Sequence, residues 1–350
     1  GLAAAAARAE AGARTLVLEQ GPRLGGSTRL AVGSISAPGT RRQRRRGIAD
    51  DVASFAEDSR KFTGDLAPRD NTALRGTMSA EAGDTVVWLE SLGVAFVGPF
   101  PEPPHRVPRM LNVVPSSQAY VTALARQARR HGAEVRTGAR VAGLVRAEGR
   151  VQGVEVESGD EAPTTLGARR GVILASGDFS GSAEMKARFI RPEAGEVGAI
   201  NPSSTGDGHR MGAEAGGDLV NMDITDGPQL RFRPPPSPPL LDRLPGHPSL
   251  WRLYAMAGNA LPRPVTRVFA KQMLTAWMAP RPDFLRAVIL VNREGRRVVD
   301  GGDGLAYAVA TQPEGKATLI VSEAVARRFS TGADHISTAP GIAYAHWSDY

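Results

Sequence analysis

Two glycine-bearing polar stretches in this chain have the composition of a site for a phosphorylated ligand. In GLAAAAARAEAGARTLVLE (residues 1–19) a small-residue helix, a glycine turn and an apolar strand lead to one acid, Glu19. That is the order of the second half of a βαβ dinucleotide-binding unit. Gly1 stands where the glycine that opens the helix falls, and Ala3 to Ala7 let the helix lie close to a sheet. Glu19 occupies the usual place of the acid that holds a ribose hydroxyl. LGGSTRLAVGSISA (residues 24–37) follows directly, and its Gly25, Gly26, Ser27 and Thr28 make a tight polar loop able to approach a pyrophosphate or flavin ring closely. In STGDGHRMGAEAGG (residues 204–217) Gly206 and Gly208 again allow close backbone approach, and the helix beyond offers free N–H groups. Asp207 in that turn suits either a ligand hydroxyl or a helix cap.

Other residues could move protons or hold anions. His105, Arg106 and Arg109 lie in a Pro-rich loop (residues 99–109) that could reach a flavin face; a lone His in such a loop is more often a surface residue. Tyr307 lies in a loop after a strand pair and could act as an acid if its pKa is lowered. Its alternative is a packed ring with the hydroxyl at the surface. Arg231 and Arg267 are candidates for binding an anionic substrate. The absence of cysteine excludes disulfides, thiolate metal sites and a Cys nucleophile, and it fits a reducing compartment. We therefore expect a cytoplasmic protein, without a metal. No run approaches the roughly 18 apolar residues of a spanning helix.

The elements that must position these residues read as α/β. With 350 residues and 41% hydrophobic content, the chain predicts about two domains. The patterning predicts helices over 47–62, 79–92 and 116–131, a strand pair turning at Glu148-Gly149, a strand over 171–177 and the helix after Gly208. From Asp223 prolines crowd residues 227–285, which suits an irregular substrate segment. A strand pair resumes over 287–300, with a strand and a helix over 317–328. The net charge of +7 is concentrated in Arg41, Arg42, Arg44, Arg45 and Arg46. Such a run could bind a polyanion, but no stacking aromatics accompany it, and a solvated loop is the plainer expectation. We expect no nucleic-acid partner.

Five segments agree in order: GLAAAAARAEAGARTLVLEQ, LGGSTRLAVGSISA, VILASGDF, STGDGHRMGAEAGGDLVNMD and VILVNREGRRVVD. With them the chain resembles the flavoprotein-subunit family of fumarate reductase and succinate dehydrogenase, in its soluble branch with 3-ketosteroid and tricarballylate dehydrogenases. The resemblance implies a Rossmann-like FAD-binding domain (residues 1–222) with an inserted α+β cap domain (residues 223–350). It also implies that a first strand and a C-terminal FAD-contacting segment are missing. FAD would lie with Glu19 on the adenosine ribose, Gly25, Gly26, Ser27 and Thr28 along the pyrophosphate and flavin, and Val141 at the adenine. Ala175, Ser176 and Gly177 would sit beside the dinucleotide and Asp207 at the flavin-side linkage. Gln20, Gly33 and Thr205 fall within or beside the same segments and are counted with them.

The family implies hydride exchange between the flavin and a C–C bond next to a carbonyl or carboxylate, with an electron donor or acceptor the sequence does not name. Relatives that bind FAD covalently carry a His just before the paired glycines; here Gly21-Pro22-Arg23-Leu24 precede them, so non-covalent FAD is expected. The proton-donor set of the fumarate reductases does not carry over. Val298, Gly301 and Leu305 stand at its first group of positions, Ala279-Pro280-Arg281-Pro282 at its relay and Asp226-Gly227-Pro228-Gln229 at its carboxylate-binding His. Alternatives are a flavin monooxygenase or NAD(P)H-dependent flavin oxidoreductase, and a non-catalytic basic module binding a polyanion.

Overall fold

The computed structural model describes residues 1–158, 161–225, 227–231, 250–253, 256, 282–302 and 304–329. Helix α1 (Leu2–Glu10) leads through a turn at Gly12 to β1 (Leu16–Glu19), which pairs in parallel with β5 (Glu134–Thr137), Leu16 opposite Glu134 and Glu19 opposite Thr137. A parallel neighbour needs a crossover, and here the chain between them ends in α6 (Gln118–Arg130). The two helices meet through Ala5, Ala6, Ala9 and Ala128, with Ala133 from the turn before β5 in the same cluster, all buried. The alanines foreseen at the front of the chain thus serve a close helix–helix contact.

Between β1 and α6 lie α2 (Gly26–Leu30), β2 (Ile35–Ser36), α3 (Arg41–Arg45), α4 (Val52–Arg60), α5 (Thr72–Ser91), β3 (Ala95–Phe100) and β4 (Met110–Val114). Antiparallel β2, β4 and β3 form one sheet. Its Phe96, Leu111 and Val113 are buried with Val86 and Leu89 of α5 and Ala119, Tyr120 and Ala123 of α6. After β5 come β6 (Val141–Ala147), β7 (Arg150–Ser158) and β8 (Glu161–Gly167), an antiparallel meander. Its first turn places Glu148 and Gly149 at φ of 52° and 73°, the left-handed pair that a two-residue hairpin requires. Then follow α7 (Ala183–Phe189) and α8 (Asp207–Glu214).

A separate cluster forms late in the chain. Helix α9 (Pro282–Ala287), β9 (Ile289–Val291), β10 (Arg297–Val298), α10 (Leu305–Ala310), β11 (Thr318–Ile320) and α11 (Glu323–Arg328) surround Phe284, Val288, Leu290, Val298, Val309 and Phe329. Strand β9 is central, with β10 and β11 antiparallel on its two sides. Trp251, from the proline-rich stretch, instead joins the core of α5, α6 and the β2–β4–β3 sheet.

Four local expectations are corrected. Residues 171–177 form no ladder with any described strand. Their apolar composition predicts a strand, but Ile173 and Leu174 are exposed and no strand pairs with them among the described residues. Tyr307 sits in α10 rather than a loop. The arginine run folds as α3, because Thr40 and Gln43 cap it reciprocally. It is also tied down by Arg42 to Glu90 (3.0 Å) and Arg46 to the Pro99 carbonyl (2.8 Å), so it is not a free basic arm. The first helix of the 47–62 stretch begins only at Val52, where Asp51 caps it by accepting the Ser54 N–H.

Candidate functional site

Three sequence-distant segments meet around one serine. Ser204, 1% exposed, receives the Asn201 amide on its hydroxyl (2.9 Å). The same Asn201 Nδ2 donates to the Ser27 hydroxyl in α2 (3.0 Å), and the two serine oxygens lie 3.4 Å apart. Gly177 packs beside this centre, where a Cβ on it would stand 3.5 Å from the Ser204 hydroxyl. Next to Gly177, the Ser176 hydroxyl accepts the N–H of Gly208 in α8 (3.0 Å). Gln20 reaches across to the Ser203 carbonyl (2.5 Å), and a Cβ on Gly1 would lie 3.8 Å from that of Ala175. Thus Gly1, Gln20, Gly26, Ser27, Ala175, Ser176, Gly177, Thr205 and Asp207 belong to one connected region.

The backbone is shaped at the paired glycines. Gly25 has φ 117° and caps α2; a Cβ there would come within 2.8 Å of Arg29 Cβ and Val121 Cγ2. Gly26, at φ 46°, faces Asn201 with only 3.8 Å between its Cβ position and the amide nitrogen. At Gly25 only glycine meets both the positive φ and the lack of room; at Gly26 the φ alone favours it. Gly206 is a further left-handed residue, φ 76°, and α8 begins on Asp207.

Asp207 is buried, and its carboxylate accepts from Thr205 Oγ1 (2.8 Å), Arg210 (2.7 Å) and Arg140 (3.3 Å). Burial alone would raise its pKa, but the Thr205 and Arg210 hydrogen bonds and the two arginine charges hold it below the ordinary carboxylate value. Its side chain makes no cap bond to the helix, so the capping reading is corrected. Glu19 ends β1, and one of its oxygens accepts the Gly21 N–H (2.8 Å). The strand beside it is fixed by Ala139 N–H to the Glu19 carbonyl (3.0 Å), two residues before Val141 at the start of β6.

Gly33 and Thr28 lie differently. A Cβ on Gly33 would meet Val113 Cγ1 at 2.7 Å and Ser117 Cβ at 2.8 Å, and its carbonyl accepts the Tyr120 hydroxyl (2.6 Å). This glycine lets the loop cross α6 and β4. Thr28 is exposed on α2.

The proton-transfer candidates are placed apart. Arg109 is fully buried, with Asp50 (2.6 and 2.8 Å) and Asp58 (2.6 Å) on its guanidinium, Nδ1 of His105 at 3.0 Å and the Phe55 ring at 5.4 Å. His105 packs between Phe55 and Phe62. The contacts of both side chains stay within this cluster, which pins the Pro-rich loop onto α4. Tyr307 lies under the guanidinium of Arg191, 4.9 Å from ring to charge. Arg231 is exposed, with Gln229 Oε1 at 2.8 Å. Arg267 lies outside the described residues. Sequence reading missed Asn201 and Ser204 at the centre of the site; the polar run Asn201-Pro-Ser-Ser-Thr205 directly before the Gly206 turn was the available signal. Among the described residues no group of three or more His, Asp or Glu is placed to hold a metal, and no helix is long and apolar enough to cross a membrane.

The FAD binding domain family matches residues 1–235. The chain belongs to that family. Among relatives, a probable fumarate reductase (Ifc3) of Shewanella frigidimarina strain NCIMB 400 is 29% identical over 64% of this chain and 38% of its own length. A urocanate reductase of Eggerthella lenta is 28% identical over 63% of this chain and 37% of its own. The open conformation of a flavocytochrome c3 fumarate reductase superposes with a TM-score of 0.69 at 22% identity, over 93% of this chain and 51% of that one. This chain therefore spans about half, or less, of the length of these proteins. The last comparison establishes the fold: an α/β, Rossmann-like FAD-binding architecture. The described residues fit the cofactor. Gly1, Gly25, Gly26 and Gly177 let the backbones of these segments approach one another closely, α1 and α2 begin without a side-chain cap, and Glu19 and Asp207 place carboxylate oxygens beside them.

Proposed function

We propose that the protein is an FAD-dependent oxidoreductase that transfers hydride between its flavin and a C–C bond adjacent to a carbonyl or carboxylate. The observation that carries this reading is the convergence of the GG loop, residues 175–177 and the 201–208 turn on one connected polar centre. When bound, FAD supplies the hydride donor or acceptor. The chain's own part is to hold it. In this reading Glu19 takes the adenosine ribose, the amides at Gly25 and Gly26 take the pyrophosphate, and ionised Asp207 accepts a hydroxyl on the flavin side. Gly21-Pro22-Arg23-Leu24 offer no His for a covalent link, which favours non-covalent FAD.

Residues 1–222 would hold the cofactor and residues 223–350 the substrate. The names of the relatives favour an unsaturated carboxylate, which Arg231 or Arg267 would grip by bidentate pairing. Tyr307 is the proposed proton donor. The Arg191 guanidinium lies over its ring, 4.9 Å from the centroid. The test is anaerobic turnover of enoates and 3-ketosteroids by FAD-loaded protein with an artificial electron donor or acceptor. Tyr307→Phe is expected to lower kcat by about 10²–10⁴ with flavin content unchanged. Unchanged kcat would remove Tyr307 from the mechanism; no turnover in either direction would overturn the reaction assignment.

A further inference from the structure

Asn201 makes contacts that no cofactor-binding role requires of it. Its Oδ1 accepts the Ser203 N–H at 3.2 Å, which fixes which way the amide faces. Both protons on Nδ2 are then aimed at hydroxyls, Ser27 on α2 at 3.0 Å and Ser204 at 2.9 Å. Ser204 is tied in turn to the third segment: its carbonyl accepts the Gly181 N–H (2.7 Å), and its own N–H returns to the Asn201 carbonyl (3.1 Å). Besides this amide, Gln20 ties the segment ahead of α2 to the Ser203 carbonyl (2.5 Å), and Ser117 holds the far end of α2 by donating to the Arg29 carbonyl (3.1 Å), which leaves its first turn to Asn201. Helix α2 has five residues, none of them buried, and its cap makes no side-chain hydrogen bond. A helix that short does not hold its own place in water.

We propose that Asn201 is a positioning residue, a clamp that sets the first turn of α2 against the 201–206 loop before FAD arrives. The inference rests on the FAD reading above and deepens it. With α2 free, its amides would have to be ordered when the cofactor binds, and that ordering lowers affinity. With the clamp closed, the cost is met during folding. The hydroxyls of Ser27 and Ser204 are what the amide recognises, so the three side chains should act as one unit.

The test measures FAD affinity by flavin fluorescence quenching and amide hydrogen exchange in the FAD-free protein. Asn201→Ala and Ser204→Ala should each weaken FAD binding about five- to tenfold. The double variant should be no weaker than Asn201→Ala alone. In the FAD-free Asn201→Ala protein, amides of residues 26–30 and 201–206 should exchange faster while those of β6 and β7 do not change. Additive losses, unchanged exchange, or a lowered Tm with FAD affinity intact would overturn the clamp. Wild-type protein that binds no FAD would overturn both this proposal and the reading beneath it. Wild-type binding with unaffected variants would overturn the clamp alone.

Discussion

Asp58 has no exposed surface, yet it carries a charge, and its neighbours show why that is tolerated. Its oxygens receive the backbone N–H of Arg106 (3.0 Å), the Arg106 side chain, the Lys61 ammonium (2.6 Å) and Arg109 (2.6 Å). Burial pushes the carboxyl up, but these donors together hold it far below the usual range. Protonation therefore favours the unfolded chain, whose Asp titrates near pH 4. The stabilisation is complete above that pH and is lost as pH falls toward the folded value. Acid titration of stability should show a steep loss below about pH 4, and Asp58→Asn should flatten it. A profile unchanged by the substitution would contradict the cluster's role. His105 has the same sign: burial and the Arg109 charge lower its pKa. Its protonation below about pH 6.5 also destabilises the fold. Removing one partner is worse than neutralising the group. Arg109→Met should cost about 3–5 kcal/mol in urea unfolding, since buried Asp50 loses its counter-ion and Asp58 keeps only Arg106 and Lys61. A loss below about 1 kcal/mol would show that the pairs carry no net energy.

At the scale of elements, the paired glycines are the most demanding positions. Gly25 needs φ 117° and has no room for a methyl between Arg29 and Val121. Gly25→Ala should displace the start of α2 and abolish FAD binding, while far-UV circular dichroism changes little because the helix is short. Retained FAD affinity would separate the glycine from the cofactor. Most elements were legible because their periodicity and caps agree with their tertiary roles: α6 with Tyr120, Leu124 and Ala128, the hairpin at Glu148-Gly149, and the β9–β10 turn around Asn292, whose side chain accepts two N–H groups of that turn. Residues 171–177 were not, because strand composition states what a segment can pair with, not whether a partner edge is there. The α3 helix was obscured by charge; its capping box at Thr40-x-x-Gln43 was readable and went unused. The FAD-binding segments were readable as motifs, but the bond from Asn201 to Ser27, 174 residues away, was not, since a long-range hydrogen bond leaves no local pattern. The burial of Arg109 was hidden for the same reason, its carboxylate partners lying 59 and 51 residues away.

For the whole molecule, the division at residue 222 is a proposal; beside the alanine cluster of α1 and α6, one apolar cluster is built around α5, α6 and the β2–β4–β3 sheet and another around β9. The units are not independent. Trp251 is buried in the first cluster, Leu230 packs against the second, and Arg69 grips Asp223 with two short hydrogen bonds (2.5 and 2.8 Å). A cofactor held by the first unit and a substrate met by the second would use this junction. That division assigns chemistry only if the protein takes up FAD, which makes the cofactor the central claim. The most direct measurement is an absorbance titration of the protein with FAD, followed by denaturation and separation of the supernatant. Stoichiometric uptake, the spectrum of a bound oxidised flavin, and release of all the flavin into the supernatant are expected. A protein that stays colourless at saturating FAD would contradict the FAD reading.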